Sequence, residues 1–217
     1  MVAIEDVVIP DSKLASEVTQ LVRDSVSELL FNHSSRAYCF AAMAAERFGL
    51  TFDPELLYVG AMFHDMGLTA AYSSRTDRFE VDSANAARAF LRQHGIDQQD
   101  IDIVWTAIAL HSTPGISQYM HPVVALVAVG VKMDVVGAGY EEFTEAQRRS
   151  VVRAFPREPD FEEGIIRAFY EGIRHKPETT FGTINAEVLA DMDPHFHRPN
   201  LCSRIRSSPW RSALRGR

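Results

Sequence analysis

The stretch Asp53–Gly67, DPELLYVGAMFHDMG, holds the strongest local signals in this chain of 217 residues. Asp53 followed by Pro54 predicts a helix start, because a carboxylate caps free backbone N–H groups and proline suits the first helical turn. The apolar residues that follow recur at helical spacing, and the closing glycine is placed to end the helix. We therefore expect a helix whose end carries the adjacent pair His64-Asp65.

Helical periodicity extends over almost the whole chain, which predicts an all-α fold. Apolar residues recur three and four positions apart, and no convincing alternation of apolar and polar residues indicates a β-strand. Further helices are expected over residues 12–30, 34–48, 82–95, 97–111, 122–136, 144–155, 160–175 and 185–192. Residues 1–194 are predicted to form one bundle of about eight helices, followed by an extended basic tail over residues 195–217.

Charge is distributed unevenly along the chain, and this distribution bears on its partners. The net charge is −7, but residues 195–217 carry six arginines and no acid, so removing those six charges leaves the remainder at −13. An acidic body argues against nucleic acid, because binding of a phosphate backbone requires clustered basic residues. We expect a small-molecule substrate and a solvated tail. Docking of the tail on an acidic body is the alternative, and a homo-oligomer is compatible with the sequence.

Cysteine content and hydropathy predict a cytoplasmic protein that does not enter a membrane. Cys39 and Cys202 lie far apart and form neither a disulfide framework nor a metal-binding spacing. The N-terminus lacks the basic and then apolar pattern of a signal peptide. The longest apolar stretch, Val123–Val131, is much shorter than the roughly 20 residues of a membrane span.

The pair His64-Asp65 is the first candidate for chemistry because it follows an apolar run. Two polar side chains in a buried region need a partner, which is either a metal ion or a mutual hydrogen bond that caps the helix. Asp134 favours the ion, because it lies among valines near the C-terminal end of a predicted helix. The helix dipole disfavours an anion there, so the carboxylate needs a cation. An arginine from another helix is the alternative partner.

His33 completes a candidate metal site. It is predicted to lie where one helix gives way to the next, at the positive end of the helix that begins with Ser34. That position would keep the ring neutral, as a metal ligand must be, whereas a capping or core histidine is the alternative. His33, His64, Asp65 and Asp134 together offer two imidazoles and two carboxylates. Such a donor set suits zinc, iron(II) or manganese(II).

The order of these four residues on an all-helical background resembles the HD-domain superfamily of metal-dependent hydrolases, over about residues 12–155. More narrowly, five stretches are similar to its cyanamide hydratase-type branch: 9–12 (IPDS), 30–36 (LFNHSSR), 64–69 (HDMGLT), 78–82 (RFEVD) and 107–111 (AIALH). The resemblance implies one divalent ion held by the four residues. Zinc is the first expectation, and Fe²⁺, Mn²⁺ and Ni²⁺ are alternatives.

The resemblance also implies an activity, the hydration of a small nitrile such as cyanamide, which gives urea. A bound divalent ion would lower the pKa of water so that it attacks the nitrile carbon at neutral pH. Nucleotide phosphohydrolases of the superfamily often carry a phosphate-binding lysine where this chain has Leu68 and Thr69. Only His111 and His121 are available for a second metal in the relevant interval, so one ion is expected, with a second ion at His111 as the alternative.

Several residues are candidates for catalysis or substrate binding. His111 is expected to project inward from a helix end and to transfer a proton, with Asp65 and Glu80 as further catalytic candidates. A satisfied core histidine fits His111 equally well. Substrate contacts are predicted from Phe31, Arg36, Phe63, Thr69 and Trp105. The aromatic residues also fit a plain hydrophobic core, and Arg36 also fits a surface ion pair or an orienting role toward a carboxylate ligand.

Two other functions stay open from the sequence. One is an HD-type phosphohydrolase of a nucleotide or another phosphate ester, with Arg36, Arg75 and Arg78 as the candidate basic residues. The other is a non-catalytic ligand-binding domain that keeps its metal for stability. Turnover of cyanamide would indicate the hydratase, and release of phosphate would indicate the phosphohydrolase. Neither activity is expected of a non-catalytic domain.

Overall fold

Ten α-helices make up most of the part of the chain that the structure describes. A computed structural model describes residue 4 and residues 7–207. The helices are α1 (Lys13–Ser25), α2 (Glu28–Phe48), α3 (Pro54–Phe63), α4 (Phe79–Gln93), α5 (Gln98–Leu110), α6 (Pro122–Val136), α7 (Glu145–Ala154), α8 (Phe161–Ile173), α9 (Asn185–Met192) and α10 (Leu201–Arg206). No β-strand occurs among the described residues, which confirms the predicted all-α class.

Helix α3 begins as its sequence predicts. The Asp53 carboxylate accepts hydrogen bonds from the backbone N–H groups of Glu55 and Leu56, at 2.8 and 3.1 Å, and proline occupies the first helical position. The helix ends at Phe63, earlier than Gly67. Gly67 is required for another reason, since a Cβ there would lie 2.2 Å from the carbonyl oxygen of Phe79 at the start of α4.

The boundary between α1 and α2 differs from the prediction. Ser27 caps α2 by accepting a hydrogen bond from the backbone N–H of Leu30, so the break falls near residue 26. His33 consequently lies in the second turn of a continuous helix and not at a junction before Ser34. The expected effect of a helix N-terminus on His33 is therefore wrong. The physical reason is the local cap, which apolar periodicity does not reveal.

Helices α2 and α6 form the most extensive helix pair of the fold and hold the core together. Gly130 makes their close approach feasible. A Cβ at this position would lie 2.0 Å from the carbonyl oxygen of Ala37 and 3.0 Å from the Cβ of Ala41. Neither of these groups can rotate away from such a Cβ. The distance between α2 and α6 is therefore set by direct contact of their backbones.

Gly130→Ala is therefore expected to destabilise the protein, although alanine favours helices. Separating α2 from α6 should cost about 1–3 kcal/mol of the free energy of unfolding, the usual cost of overpacking. Urea unfolding measures this change. Gly164→Ala in α8 is the matched control, because its Cβ would meet only the flexible end of the Leu29 side chain. Equal stability of the two variants would contradict the close packing of α2 on α6.

A second, smaller hydrophobic cluster packs over the end of α3. Its buried members are Leu30, Leu68, Phe79, Phe161, Ile165, Ile173 and Leu189. These residues come mainly from α8 and α9, from the N-terminus of α4 and from the turn after α3. The end of α3 therefore lies between two apolar layers, and polar side chains placed there are removed from solvent.

The basic tail is described only in part. Within it, α10 is exposed, the Arg204 guanidinium stacks on the Phe181 ring at 3.8 Å, and Arg198 lies 3.5 Å from Glu187. Three of the six arginines, Arg211, Arg215 and Arg217, lie outside the described residues. Among the helices described, none combines the length and the apolar character needed to cross a membrane. The boundary at residue 194 stays a prediction.

Candidate metal centre

Three side chains converge at the end of α3. His33 reaches this point from α2, while His64 and Asp65 directly follow α3. The Nε2 atoms of the two histidines are 3.1 Å apart, and the nearer Asp65 oxygen lies 3.2 Å from His64 Nε2 and 3.6 Å from His33 Nε2. All three side chains are buried. The sequence prediction of a common site for these three residues agrees with their placement, and they form a group able to hold a metal ion.

The adjacent residues His64 and Asp65 face one point because the helix ends between Phe63 and Asp65. His64 keeps helical backbone angles, but Asp65 adopts φ −108° and ψ 6°, outside the helical region. On a continuous helix, neighbouring side chains diverge by about 100°. The change at Asp65 removes that divergence.

Hydrogen bonds on the outer side of each ring orient the imidazoles. His64 Nδ1 donates to the carbonyl oxygen of Ala61 at 2.7 Å, and His33 Nδ1 donates to Asp134 at 2.7 Å. A carbonyl oxygen only accepts, so Nδ1 of His64 carries the proton. In the neutral rings, both Nε2 lone pairs then point toward Asp65. Lone pairs and a carboxylate facing one another require a positive charge between them.

Asp65 provides the most direct sign of a missing partner. Among the described residues, neither of its buried carboxylate oxygens receives a well-aligned hydrogen bond. A buried carboxylate without a partner costs several kcal/mol, roughly, so native proteins rarely retain one. Ligands at about 2.0–2.1 Å from a tetrahedral ion lie about 3.3 Å apart, close to the spacings found here. The donor set therefore fits a divalent first-row ion.

The electrostatics of the site favour an anionic Asp65. Burial raises the pKa of this carboxyl, but His64, His33 and His111 more than compensate and lower it to about 2. For His64, burial lowers the pKa, but the neighbouring Asp65 carboxylate raises it by more. The pKa of His64 therefore lies above the ordinary value for histidine. For His111, burial and the neighbouring His64 lower the pKa to about 4. His111 is consequently neutral at pH 7.

Asp134, the fourth predicted ligand, does not lie at this point of convergence, and its role as a direct ligand stays a prediction. One of its oxygens accepts the hydrogen bond from His33 Nδ1, on the opposite side of the ring from Nε2. Arg36 donates to both oxygens, through Nε at 2.7 Å and Nη2 at 2.9 Å. Burial raises the pKa of Asp134, but His33 and Arg36 bring it down to about 2. The carboxylate thus lies behind a ligand, where such groups orient the ring.

Arg36 is the arginine that binds Asp134, and an arginine partner was the alternative to a metal ion in the sequence analysis. Arg36 is fully buried and also donates to the backbone oxygen of Pro156 at 2.7 Å. Its Nε, Nη1 and Nη2 atoms each donate a hydrogen bond within the chain, so the guanidinium is engaged by the protein itself. Its placement fits an orienting role and excludes the surface ion pair.

The other predicted substrate contacts, Phe31, Phe63, Thr69 and Trp105, are engaged in contacts within the fold. Phe63 is a core residue, and the Phe31 side chain is buried beneath Arg23. Trp105 donates its indole N–H to Asn85 on α4, and the hydroxyl of Thr69 donates to the backbone within its own turn. The plain core interpretation therefore fits these aromatic residues better than a pocket wall does. Helical spacing alone does not distinguish the two.

His111 and Glu80 are both buried beside the three convergent residues. His111 Nδ1 donates to the carbonyl oxygen of Ile108 at 2.7 Å, and its Nε2 lies 3.9 Å from Asp65. The Glu80 carboxylate accepts hydrogen bonds from Arg78, Ser112 and Asn185, of which the last two were not singled out by the sequence. Only the position of Ser112 next to a candidate histidine could have suggested it.

A cavity of about 400 Å³ reaches the site at His111. Most of its wall comes from α6, α8 and α9 and is apolar: Val131, Val135, Val136, Ile165, Ile166, Phe169, Ile184 and Val188. The polar residues around it are His111, Ser112, Lys132, Asn185 and Glu187. The sequence prediction missed this wall, because α8 and α9 carry no motif that connects them with the site.

Comparison with known proteins agrees with this geometry. The family model described as "HD domain" matches residues 30–167, which include His33, His64, Asp65, His111 and Asp134. A segment of 68 residues is 40% identical to the bifunctional uridylyltransferase/uridylyl-removing enzyme of Thiobacillus denitrificans. That segment is 31% of this chain and 7% of the relative, so the chain matches only a small part of that protein. With the family model matching more than half of its length, this chain belongs to the HD-domain family.

Proposed function

We propose that this HD-domain protein adds water to the carbon–nitrogen triple bond of a small uncharged nitrile. The observation that carries this proposal is the convergence of His33, His64 and Asp65 beside His111, which lines an apolar cavity. The five stretches similar to the cyanamide hydratase-type branch add support. Cyanamide, which would give urea, is the first substrate to test.

His33, His64 and Asp65 would hold the divalent ion. When bound, the ion would supply electrostatic polarisation of the substrate and a lowered pKa of water. His111 Nε2 carries a lone pair in the neutral ring, because Nδ1 donates to Ile108. It accepts one proton from the attacking water and returns it to the nitrile nitrogen. The water oxygen bonds to carbon, and the resulting imidic acid tautomerises to the amide, so all atoms balance.

The charges around the site favour an uncharged substrate over a phosphate ester. Four cations near it, Arg36, Arg78, Arg157 and Lys176, each bind a carboxylate of the chain at 2.6–3.0 Å. A phosphate would have to compete with these ion pairs, two of which are buried. The interior next to His111 therefore lacks a ready cluster of cations for a phosphate.

Phosphate ester hydrolysis is the second candidate, and two observations favour it. Lys132 lines the cavity and has no carboxylate partner among the described residues. The name of the Thiobacillus denitrificans relative includes removal of a uridylyl group, which is a phosphate ester reaction. Lys132 would supply a single point charge for such a substrate.

The test is a comparison of the wild-type chain with His111→Gln, both purified without a nickel affinity step and loaded with Zn²⁺, Fe²⁺ or Mn²⁺. We expect urea from cyanamide, and a rate about 10²–10⁴-fold lower for His111→Gln at equal metal content, because a proton-transfer group is lost. His94→Gln is the matched control, since His94 pairs with Glu17 on the surface.

The other outcomes would contradict this proposal. Phosphate release from nucleotides without any urea would replace it with the second candidate. Stoichiometric metal with neither activity would instead support a metal-stabilised binding domain. A His111→Gln variant that hydrates cyanamide at the wild-type rate would remove His111 from the mechanism.

A further inference from the structure

The cavity beside His111 is much larger than the substrate that the family resemblance suggests. Cyanamide has three non-hydrogen atoms and would fill roughly 90 Å³ if each is given the volume of one water molecule in the liquid. The cavity measures about 400 Å³. Three quarters of this volume, which opens to solvent at Val136 and Ile184, would be left to water next to aliphatic walls that offer it few hydrogen-bond partners.

Polar and apolar groups occupy different parts of this cavity. His111, Ser112 and Asn185 form one polar end, and Glu80 behind them accepts hydrogen bonds from the serine and the asparagine. The remaining wall consists largely of valine, isoleucine and phenylalanine side chains, while Lys132 is half-buried and faces the same cavity. Ligand sites with few polar groups at one end and apolar walls elsewhere bind molecules of matching polarity.

The helices that supply the apolar wall also cover the metal centre. The Phe161 ring at the start of α8 lies 6.0 Å from the His33 ring, and Phe169 packs on Phe79 at 5.7 Å, which in turn packs on His111 at 5.7 Å. The cavity wall and the catalytic groups are thus one continuous packed unit. An apolar group in the cavity would lie directly next to the reacting centre.

We infer that the preferred substrate of this protein is a nitrile with an apolar body of roughly ten non-hydrogen atoms, which it hydrates with a higher kcat/KM than cyanamide. This inference rests on the proposed function and names its substrate class. The nitrile lies at His111, and an alkyl or aryl group fills the space between α6, α8 and α9. Water adds across the triple bond as described above, so the product is the corresponding carboxamide and no further reactant is needed.

Binding of product amides tests the inference without depending on turnover. Acetamide, butanamide and hexanamide are titrated into the metal-loaded protein by calorimetry. Each methylene buried in the cavity should raise affinity about fourfold. Val188→Phe, which fills the cavity from α9, should lower the affinity for hexanamide at least tenfold at unchanged metal content. Val152→Phe on the exposed face of α7 is the matched control and should leave the affinity unchanged.

Turnover of a nitrile series separates this inference from the proposed function. We expect kcat/KM to rise from acetonitrile to hexanenitrile, and to fall for hexanenitrile in Val188→Phe. Efficient hydration of cyanamide with no dependence on chain length in either series would overturn the inference and leave the proposed function standing. Chain-length-dependent amide binding with no hydration of any nitrile would overturn the proposed reaction and retain the apolar ligand site.

Discussion

Asp65→Asn is expected to leave the protein without its bound metal ion. Asp65 is the one carboxylate among the three convergent ligands, and neither of its oxygens has a hydrogen-bond donor among the residues described. An amide keeps the shape but removes the charge that balances a divalent cation. We expect metal affinity to fall by more than about 100-fold, because even the loss of a group behind a ligand costs 10–100-fold.

Metal content per chain, measured by mass spectrometry after dialysis, checks this result. A second measurement is the rise in melting temperature on addition of Zn²⁺ to chelated protein, which follows from binding to the folded state alone. This rise should disappear in Asp65→Asn. Asp102→Asn is the control, since it makes the same change of charge on the exposed part of α5. Full metal content in Asp65→Asn would contradict the assigned site.

Arg36→Met is expected to destabilise the fold strongly. The guanidinium is fully buried, binds Asp134 through two nitrogens and donates to the backbone oxygen of Pro156. Its removal leaves the buried Asp134 carboxylate with His33 and the partly exposed Arg157, 3.6 Å away, as its remaining side-chain partners. The loss of one member of a buried ion pair typically costs 3–5 kcal/mol, and we expect a change of about that size in the free energy of unfolding.

Urea unfolding of a double-mutant cycle separates the ion pair from simple loss of volume. Asp134→Leu in the Arg36→Met background should recover part of the stability, because no uncompensated charge is left. Arg149→Met, which removes an exposed arginine paired within α7, should change stability by less than about 0.5 kcal/mol. If Arg36→Met were as mild as Arg149→Met, the buried pair would not be a structural element of the fold.

The placement of Asp134 changes how the metal centre is understood. The sequence predicts four ligands, whereas three side chains converge and the fourth lies behind His33. A carboxylate in that position fixes the tautomer and the direction of the imidazole. We therefore expect Asp134 to act as a positioning residue for the site, and Arg36 binds it through two nitrogens. The periodicity of α6 shows that Asp134 is buried but does not give the direction of its carboxylate.

The helices follow from local signals to a large extent. Apolar spacing predicts α5 and α6 closely, and the start of α3 at the Asp53 cap is confirmed by its hydrogen bonds. The start of α4 is less accurate, since the helix begins at Phe79 and not at residue 82, where the Asp82 carboxylate accepts a hydrogen bond from Lys176 of a distant segment. The break before α2 depends on a single serine cap, which overrides an apolar pattern that continues across it.

The sequence by itself determined the all-helical class and the polar pair at the end of α3, because helix spacing and caps act over a few neighbouring residues. It also indicated that His33 belongs with that pair. Only the tertiary structure decided that Asp134 lies behind His33, that Arg36 binds the Asp134 carboxylate, and that α8 and α9 line the cavity. These features depend on the direction of side chains from distant segments, which packing between helices sets and local sequence does not encode.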